Sequence, residues 1–379
     1  MKIATKMTIA ALGVTILPSI ASAQVPDLVA AFDAGGRAMG MGGATYVTGS
    51  DTMSGYYNPA GLAYVSRGQV GLTFRNMPQS RTTVSGDLVP TGSERLSSEG
   101  DTGPRALSHV GIAIPLRNRS GSTNGTIGLA LTTGGQIRDE RTAGPGLAEG
   151  GLGAPGYSQL LKSKTDFVSL SYGRSLSDTF NICISLLYAV NNQSNVRNGV
   201  PSGATSFEET ATGLGLLVGM QFTPRDNPNL MFGASYRTPI SLKGRNGAQL
   251  IYDKIPARLQ IGGAVRRDGL RGGRDFILVG ADVQHFFAGN QGVLFDRDPQ
   301  TVLGFGLEYS YATGSARVPI RLGYQFVPAG GNNFGARNSF TYGVGYRPGN
   351  GDWGVDVNFG RAQAGGQDMS INLMYRFGR

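Results

Sequence analysis

Residues 180–190 read Phe-Asn-Ile-Cys-Ile-Ser-Leu-Leu-Tyr-Ala-Val, and this stretch decides the fold class. Every second residue is large and apolar, namely Phe180, Ile182, Ile184, Leu186, Tyr188 and Val190. The intervening positions carry mostly smaller side chains, namely Asn181, Cys183, Ser185, Leu187 and Ala189. A period of two predicts a β-strand with one uniformly apolar face. Its length matches the roughly nine to eleven residues that a tilted strand needs to cross a bilayer.

The same alternation recurs along the rest of the chain. Fourteen segments show it, at residues 67–75, 107–116, 126–133, 165–174, 180–190, 212–222, 230–238, 256–266, 276–286, 302–311, 317–327, 338–347, 352–360 and 368–377. The connections between them alternate between long and short from beginning to end. Outer-membrane barrels have this pattern, with an even number of strands, long extracellular loops and short periplasmic turns. We therefore predict an all-β transmembrane barrel of about fourteen antiparallel strands.

A soluble β-sandwich is the alternative for an alternating chain, and the composition of the second face argues against it. That face carries Gly, Ser, Thr and Asn with isolated charges, which suits a packed lumen better than open solvent. Charged residues make up 16% of the chain and Gly numbers 60, whereas an average soluble protein is about 25% charged. The composition therefore favours the membrane barrel.

The N-terminal region is predicted to contain two segments that precede the barrel. Residues 1–23 have the basic start, apolar stretch and Ala-Ser-Ala site of a cleaved signal peptide, so we expect export to the outer membrane. Residues 24–65 lack alternation and contain a Gly-rich run at 35–43. Because a lumen enclosed by fourteen strands is too wide for side chains alone to fill, we predict that 24–65 forms a plug, or hatch, inside the barrel of residues 66–379.

Two short motifs in the predicted hatch carry a family resemblance. One is Asn58-Pro59-Ala60-Gly61, and the other is the run of residues 37–44 that contains Arg37, Gly40, Gly42 and Gly43. Together with Ser-Tyr-Arg at 235–237 and Lys-Ile-Pro-Ala-Arg-Leu at 254–259, they resemble the long-chain fatty-acid transporter family of FadL and TodX type. The run at 37–44 is most similar to the related PorV-like proteins. The resemblance implies a hatch in front of a fourteen-stranded barrel.

What the resemblance implies for function is passive uptake of hydrophobic or amphiphilic small molecules such as long-chain fatty acids. The alternation places Arg237, Arg258 and Arg321 in the lumen, where they could hold the carboxylate of an amphiphile while Met39 and Met41 contact its chain. The competing interpretation is that these arginines pair with lumenal carboxylates such as Glu308 and Asp356. The alternative function is a PorV-like barrel that serves as a protein-secretion or surface-assembly partner. A hydrophilic porin is a third possibility.

Other classes of function have little support in the sequence. His109 and His285 are the only histidines, and Cys183 is the only cysteine, so no catalytic residue, metal ligand or cofactor site is predicted. The basic residues are scattered, so nucleic acid is not an expected partner. Expected partners are outer-membrane lipid, lipopolysaccharide, a hydrophobic ligand and the outer-membrane assembly machinery. The chain ends in Gly378-Arg379 after Phe377, whereas barrels of this type usually end on an aromatic residue. Gly213, Gly215 and Gly219 could permit a kink in their strand.

Overall fold

Fourteen long strands form the body of the protein in the computed structural model, which describes residues 35–45, 47–85, 95–118, 123–143, 157–200, 203–245, 250, 253–287, 289–290, 296–297, 299–328, 337–361 and 367–378. The strands are β1 (Gly68–Ser85), β2 (Arg95–Arg117), β3 (Thr123–Ala143), β4 (Tyr157–Ser175), β5 (Phe180–Val200), β6 (Gly203–Phe222), β7 (Leu230–Arg237), β8 (Arg258–Gly269), β9 (Asp275–Phe286), β10 (Gln300–Thr313), β11 (Ala316–Val327), β12 (Arg337–Tyr346), β13 (Trp353–Arg361) and β14 (Gln367–Phe377). Each overlaps one of the fourteen predicted segments, which confirms the predicted strand order. The predicted signal peptide and residues 24–34 lie outside the described residues.

The strands close into a barrel. Each pairs antiparallel with the next, and this continues through the second half of the chain. The last strand then pairs with the first, from Gly68 opposite Phe377 to Arg75 opposite Ser370. Closure leaves no unpaired sheet edge, which is the condition for spanning a bilayer with strands. In the described part of the chain, no helix has the length and apolar character needed to span a membrane.

The two faces of the wall are the reverse of those in a soluble sheet. On β5 the outward side chains are apolar and exposed, including Ile184 at 49% and Leu186 at 47%, whereas inward Ser185 is buried. On β11 the outward Ile320, Leu322 and Tyr324 are likewise exposed. An apolar band that faces outwards around a closed barrel is the surface that lipid covers. The fold is therefore that of an outer-membrane barrel.

The strands of the two halves differ in length. The first six have between 18 and 23 residues, whereas β7 to β14 have between 8 and 14. Since about nine to eleven residues cross the bilayer, β1 to β6 continue well beyond it at the end that carries the long connections. The predicted boundaries at that end were too short. By the usual arrangement of these barrels, this end faces the cell exterior and the short turns face the periplasm.

The remaining elements are short. In front of β1 lie a single helical turn, α1 (Arg37–Gly40), and two 3-10 helices, Thr52–Gly55 and Pro59–Tyr64. A second turn, α2 (Leu270–Gly273), lies in the connection between β8 and β9. Two-residue strands occur at Ile240–Ser241, Lys243–Gly244, Lys254–Ile255, Gly289–Asn290 and Asp296–Arg297. The first three belong to the connection between β7 and β8, and the described residues of this connection fold back into the lumen.

Candidate functional site

Residues 35–65, called the hatch below, lie inside the barrel against its inner face. Gly42 approaches the wall closely: a Cβ added there would lie 2.6 Å from the Tyr324 backbone nitrogen, and its φ of +62° also disfavours a side chain. On the wall side, a Cβ at Gly306 would lie 2.4 Å from the Met41 carbonyl oxygen. Glycines on both surfaces therefore allow backbone to pack on backbone. The Gly-rich run of the hatch therefore packs directly against the wall.

The Asn58-Pro59-Ala60-Gly61 motif fastens the hatch to β6. Asn58 is fully buried, and its Nδ2 donates to the carbonyl oxygens of Val47 at 2.8 Å and Met220 at 3.0 Å. Its Oδ1 accepts from the Ala60 backbone nitrogen at 3.2 Å and so caps the second 3-10 helix, which begins at Pro59. A Cβ at Gly61 would clash with the Gly49 carbonyl oxygen at 1.9 Å. The motif therefore has a structural role at the hatch–wall contact.

Wall side chains also satisfy the irregular backbone of the hatch. Ser235 Oγ donates to the Tyr57 carbonyl oxygen at 2.8 Å, and Gln221 Nε2 donates to that of Val47 at 2.7 Å. The Val47 backbone nitrogen donates to Asp282 Oδ2 at 3.0 Å. Non-helical backbone at membrane depth is tolerated only where such partners exist. The inner face of the wall is therefore complementary to the hatch.

An ionic cluster joins the start of the hatch to strands β10, β11 and β13. Glu308 accepts from Arg37 Nε at 2.8 Å and from Arg321 Nε at 2.7 Å. Asp356 accepts from Arg321 Nη1 at 2.8 Å and from Arg347 Nη2 at 2.6 Å. Side-chain exposure is 1% for both Arg321 and Asp356. Each buried charge thus contacts opposite charge, which is the condition for placing ions in a confined lumen.

An aromatic cluster surrounds two other arginines, Arg237 and Arg258. They lie directly opposite each other on β7 and β8, and both are buried. The Arg258 guanidinium carbon lies 5.3 Å from the centre of the Tyr56 ring and 5.8 Å from that of Tyr57. That of Arg237 lies 5.7 Å from the Phe167 ring centre. Like charges in directly opposite positions repel each other, and the rings offset part of that cost through cation–π contact.

Each of these two guanidinium groups donates a hydrogen bond to a backbone carbonyl oxygen. Arg258 Nη2 donates to the Tyr56 carbonyl oxygen at 2.9 Å, and Arg237 Nη2 donates to that of Pro256 at 3.1 Å. Tyr56 belongs to the hatch, and Pro256 to the connection between β7 and β8. The aromatic cluster therefore lies where the hatch, the wall and that connection meet.

The described residues of 238–257, called the inturned segment below, extend this site towards the exterior with apolar side chains. Ile240 and Ile255 pair with each other and are fully buried. Ile240 occupies the space in front of two glycines of β6, since a Cβ at Gly215 would lie 2.5 Å from its Cγ1. A continuous buried cluster results, formed by Tyr56, Tyr57, Phe167, Leu187, Ala189, Ala211, Leu217, Ile240, Leu242, Ile255, Phe286, Val302 and Val327 together with Ala38 and Met53. This cluster therefore continues the aromatic cluster towards the exterior with apolar side chains.

The glycines of β6 that could have marked a kink serve close packing instead. Gly213 and Gly215 face the inturned segment, and a Cβ at Gly219 would lie 2.0 Å from Asn58 Oδ1. Strand β6 keeps an unbroken register with β5 across these positions. These positions are glycines because the inturned segment and Asn58 pack directly against them.

The five predicted ligand residues lie in different parts of the lumen. Arg237 and Arg258 lie in the aromatic cluster, whereas Arg321 lies in the ionic cluster. Met41 packs against Ala264 and Leu278 on the wall, and Met39 contacts the position of Gly360 on β13. The structure therefore does not bring all five predicted residues into one site.

Sequence reasoning missed the side chains that make the lumen apolar. Phe167 is a large aromatic on an inner face that otherwise carries Thr165, Ser169 and Ser171, and that contrast was a detectable signal. Ile240, Leu242 and Ile255 fall in a connection, where apolar residues gave no periodic pattern to interpret. Among the described residues, no group of three or more His, Cys, Asp or Glu side chains could hold a metal ion.

The geometry defines a class of protein: a closed outer-membrane barrel of fourteen strands with a hatch packed in its lumen. No protein-family model matches the chain, and no curated protein matches it. Solved structures do share its fold. A FadL homologue from Pseudomonas aeruginosa superimposes with a TM-score of 0.61 at 16% identity, over 94% of this chain and 99% of that one.

Two toluene transporters are similar to the same extent. TodX from Pseudomonas putida gives a TM-score of 0.61 at 15% identity, over 93% of this chain and 97% of its own. TbuX from Ralstonia pickettii gives 0.59 at 16% identity, over 90% and 97%. The chain thus has the fold of FadL- and TodX-like outer-membrane channels, and at these identities the likeness is one of fold.

Proposed function

We propose that this protein takes up hydrophobic or amphiphilic small molecules passively across the outer membrane, with long-chain fatty acids as the preferred class. The observation that carries the proposal is the buried apolar cluster of the lumen, whose rings contact Arg237 and Arg258. A water-filled porin has a polar lumen, and an apolar solute gains free energy only where apolar surface is available to it. The solved structures of similar fold include proteins described as toluene transporters.

The two facing arginines favour an anionic amphiphile over a neutral hydrocarbon. Two buried guanidinium groups repel each other, and a carboxylate placed between them would relieve that repulsion through charge-assisted hydrogen bonds. The acyl chain would then lie against Ile240, Ile255 and Leu217 of the apolar cluster. Displacement of the Tyr56 and Tyr57 region of the hatch would open the way towards the periplasm.

Uptake into proteoliposomes that contain this protein tests the proposal. We expect radiolabelled oleate to enter faster than into empty liposomes, whereas labelled glucose enters at the background rate. The double variant Arg237→Gln and Arg258→Gln should reduce oleate entry, and Arg266→Gln, an inward arginine at the periplasmic mouth, is the matched control. Rapid glucose entry without oleate entry would instead indicate a hydrophilic porin.

A partner role in secretion or surface assembly is the second candidate, and the length of β1 to β6 favours it. These strands project beyond the membrane on one side of the barrel only, so they offer a large surface to another protein. Gentle purification in detergent separates the candidates. A stoichiometric fatty acid extracted from the protein supports transport, and a retained protein partner beside an empty lumen supports the secretion role.

Export by a cleaved signal peptide, assembly by the outer-membrane machinery and contact with lipopolysaccharide are parts of the same proposal. Sequencing the N-terminus of the mature protein tests the first of these. An N-terminus at Gln24 is expected, and retention of residues 1–23 in the outer membrane would contradict it.

A further inference from the structure

A notch in the lipid-facing surface lies on the opposite side of the wall from the hatch. Its floor and sides come from one row of outward residues that pair across six strands. The row reads Phe232, Gly263, Ala281, Phe305, Tyr324 and Phe340. The two smallest side chains, Gly263 and Ala281, are neighbours in the middle, with Phe232 on one side and Phe305 on the other. The resulting cavity has a volume of about 590 Å³.

The notch is lined by apolar groups along its whole length. The next row towards the periplasm continues it with Leu230, Val265, Val279, Leu307 and Leu322. None of its lining side chains is charged. The whole outer band contacts lipid, but only a recess of defined shape can hold one chain in preference to its neighbours.

An exposed arginine lies at the periplasmic end of this recess. Gly263, Val265 and Arg267 are successive outward positions of β8, and Arg267 is exposed. Arg267 lies four positions after Gly263, which is roughly 13 Å along a strand. Arg267 pairs across β9 with Ile277, and Ile277 pairs with Tyr309. Arginine and outward tyrosine at the same height on a barrel wall are typical of the level at which lipid headgroups begin.

Within the residues that the structure describes, the guanidinium group of Arg267 is free to bind an anion, whereas those of Arg266 and Arg271 already bind carboxylates. Arg266 binds Asp268 on the inward side, with Nη2 to Oδ1 at 2.7 Å. Arg271 binds Asp275, with Nε to Oδ2 at 2.9 Å, and stacks over Tyr311. Among the described residues, no carboxylate pairs with Arg267. A guanidinium group without a carboxylate partner can form two parallel hydrogen bonds to a phosphate.

We propose that the notch and Arg267 together bind one anionic glycerophospholipid of the periplasmic leaflet. One acyl chain lies over Gly263 and Ala281, between Phe232 and Phe305, and the headgroup phosphate accepts from the Arg267 guanidinium. The periplasmic position of Arg267 excludes lipopolysaccharide, which occupies the other leaflet. The inner side of the same strands contacts the hatch, since a Cβ at Gly280 would lie 2.5 Å from the Ala44 carbonyl oxygen. This site does not depend on what the lumen carries.

Native mass spectrometry of the detergent-purified full chain tests the site with phosphatidylglycerol and phosphatidylcholine as probes. We expect one phosphatidylglycerol to stay bound at a concentration about tenfold lower than phosphatidylcholine requires. Arg267→Gln should remove this preference. Arg225→Gln, which changes an exposed arginine of the neighbouring periplasmic turn, should leave it intact. Equal retention of both lipids by the wild type, or an unchanged preference in Arg267→Gln, would overturn the proposal.

Filling the notch tests the acyl-chain half of the site independently. Ala281→Leu adds bulk at an outward, exposed position and should weaken phosphatidylglycerol retention severalfold, whereas Val283→Leu, at the next outward position of the same strand, should not. If a variant does not fold, a photoactivatable phosphatidylglycerol with its reactive group on the acyl chain can be applied to the wild type. Adducts on residues 263–281 support the site, and adducts spread evenly around the barrel contradict it.

Discussion

The lumen contains two groups of arginines, and what surrounds them differs. In the ionic cluster, Arg37, Arg321 and Arg347 share Glu308 and Asp356, so the charges nearly balance. In the aromatic cluster, Arg237 and Arg258 face each other and are surrounded by tyrosine and phenylalanine rings. Removing one member of a balanced buried network leaves an opposite charge uncompensated and destabilises the folded state, whereas facing like charges are stabilised by an added anion. The comparison agrees with the proposal that the first cluster anchors the hatch and the second binds a ligand.

Removing Glu308 should have the largest effect on stability. Glu308→Gln takes away the carboxylate that Arg37 and Arg321 share and leaves Arg321 buried beside a neutral amide. We expect a loss of about 3–5 kcal/mol in the free energy of unfolding, measured by urea titration in lipid vesicles. Asp268→Asn, which removes an exposed carboxylate bound to Arg266, is the control and should cost under about 1 kcal/mol. Equal stability of Glu308→Gln and wild type would remove the ionic cluster as an anchor.

The aromatic cluster should respond differently. Arg237→Gln is expected to weaken oleate binding by about 1.5–3 kcal/mol, because a hydrogen bond to a charged group is lost. This corresponds to roughly a 10- to 150-fold rise in Kd, measured by isothermal titration calorimetry. The free energy of unfolding without ligand should change much less than in Glu308→Gln, since the variant also relieves repulsion with Arg258. A large loss of stability with unchanged affinity would reverse the assignment of the two clusters.

The aromatic rings are expected to contribute less to oleate binding than the arginines do. Phe167→Leu removes the ring beside Arg237 while keeping an apolar side chain. The ring holds the Arg237 guanidinium in place, so losing a cation–π contact of about 0.5–1 kcal/mol should let that group move and lower oleate affinity by about two- to fivefold. Tyr172→Leu, at an outward position of the same strand, is the control. An affinity that rises in Phe167→Leu would argue against a ligand in contact with this cluster.

Removing Arg347, at the edge of the ionic cluster, should have the smallest effect on the free energy of unfolding. Arg347 is partly exposed, and Asp356 keeps its bond to Arg321 when Arg347 is lost. Arg347→Gln should therefore reduce the free energy of unfolding by about 0.5 kcal/mol, in the same urea titration. A loss as large as that of Glu308→Gln would mean that the charges act as one cooperative unit.

The fold was predictable because a bilayer imposes a simple rule on strand sequence. Every second residue must be apolar wherever lipid contacts the wall, and this rule located all fourteen strands. The rule no longer applies beyond the membrane surface, so the continuation of β1 and β2 at 76–85 and 95–106 left no signal. Backbone hydrogen bonds continue there without any need for an apolar face.

The site was only partly predictable for a related reason. Alternation identifies which side chains point inwards, as it did for Arg237, Arg258 and Arg321. It does not show the height of a residue in the lumen or its position around the wall, so it could not separate Arg321 from the other two. The inturned segment was missed because a connection that folds back is recognised by what it contacts, such as Ile240 against Gly215.

A crystal structure with a fatty acid brominated at its chain end would test the central claim most directly. The account predicts anomalous bromine density within the apolar cluster near Ile240 and Ile255, with the carboxylate within hydrogen-bond distance of Arg237 and Arg258. Bromine density beside Arg321 or on the outer wall, with the aromatic cluster unchanged, would contradict it.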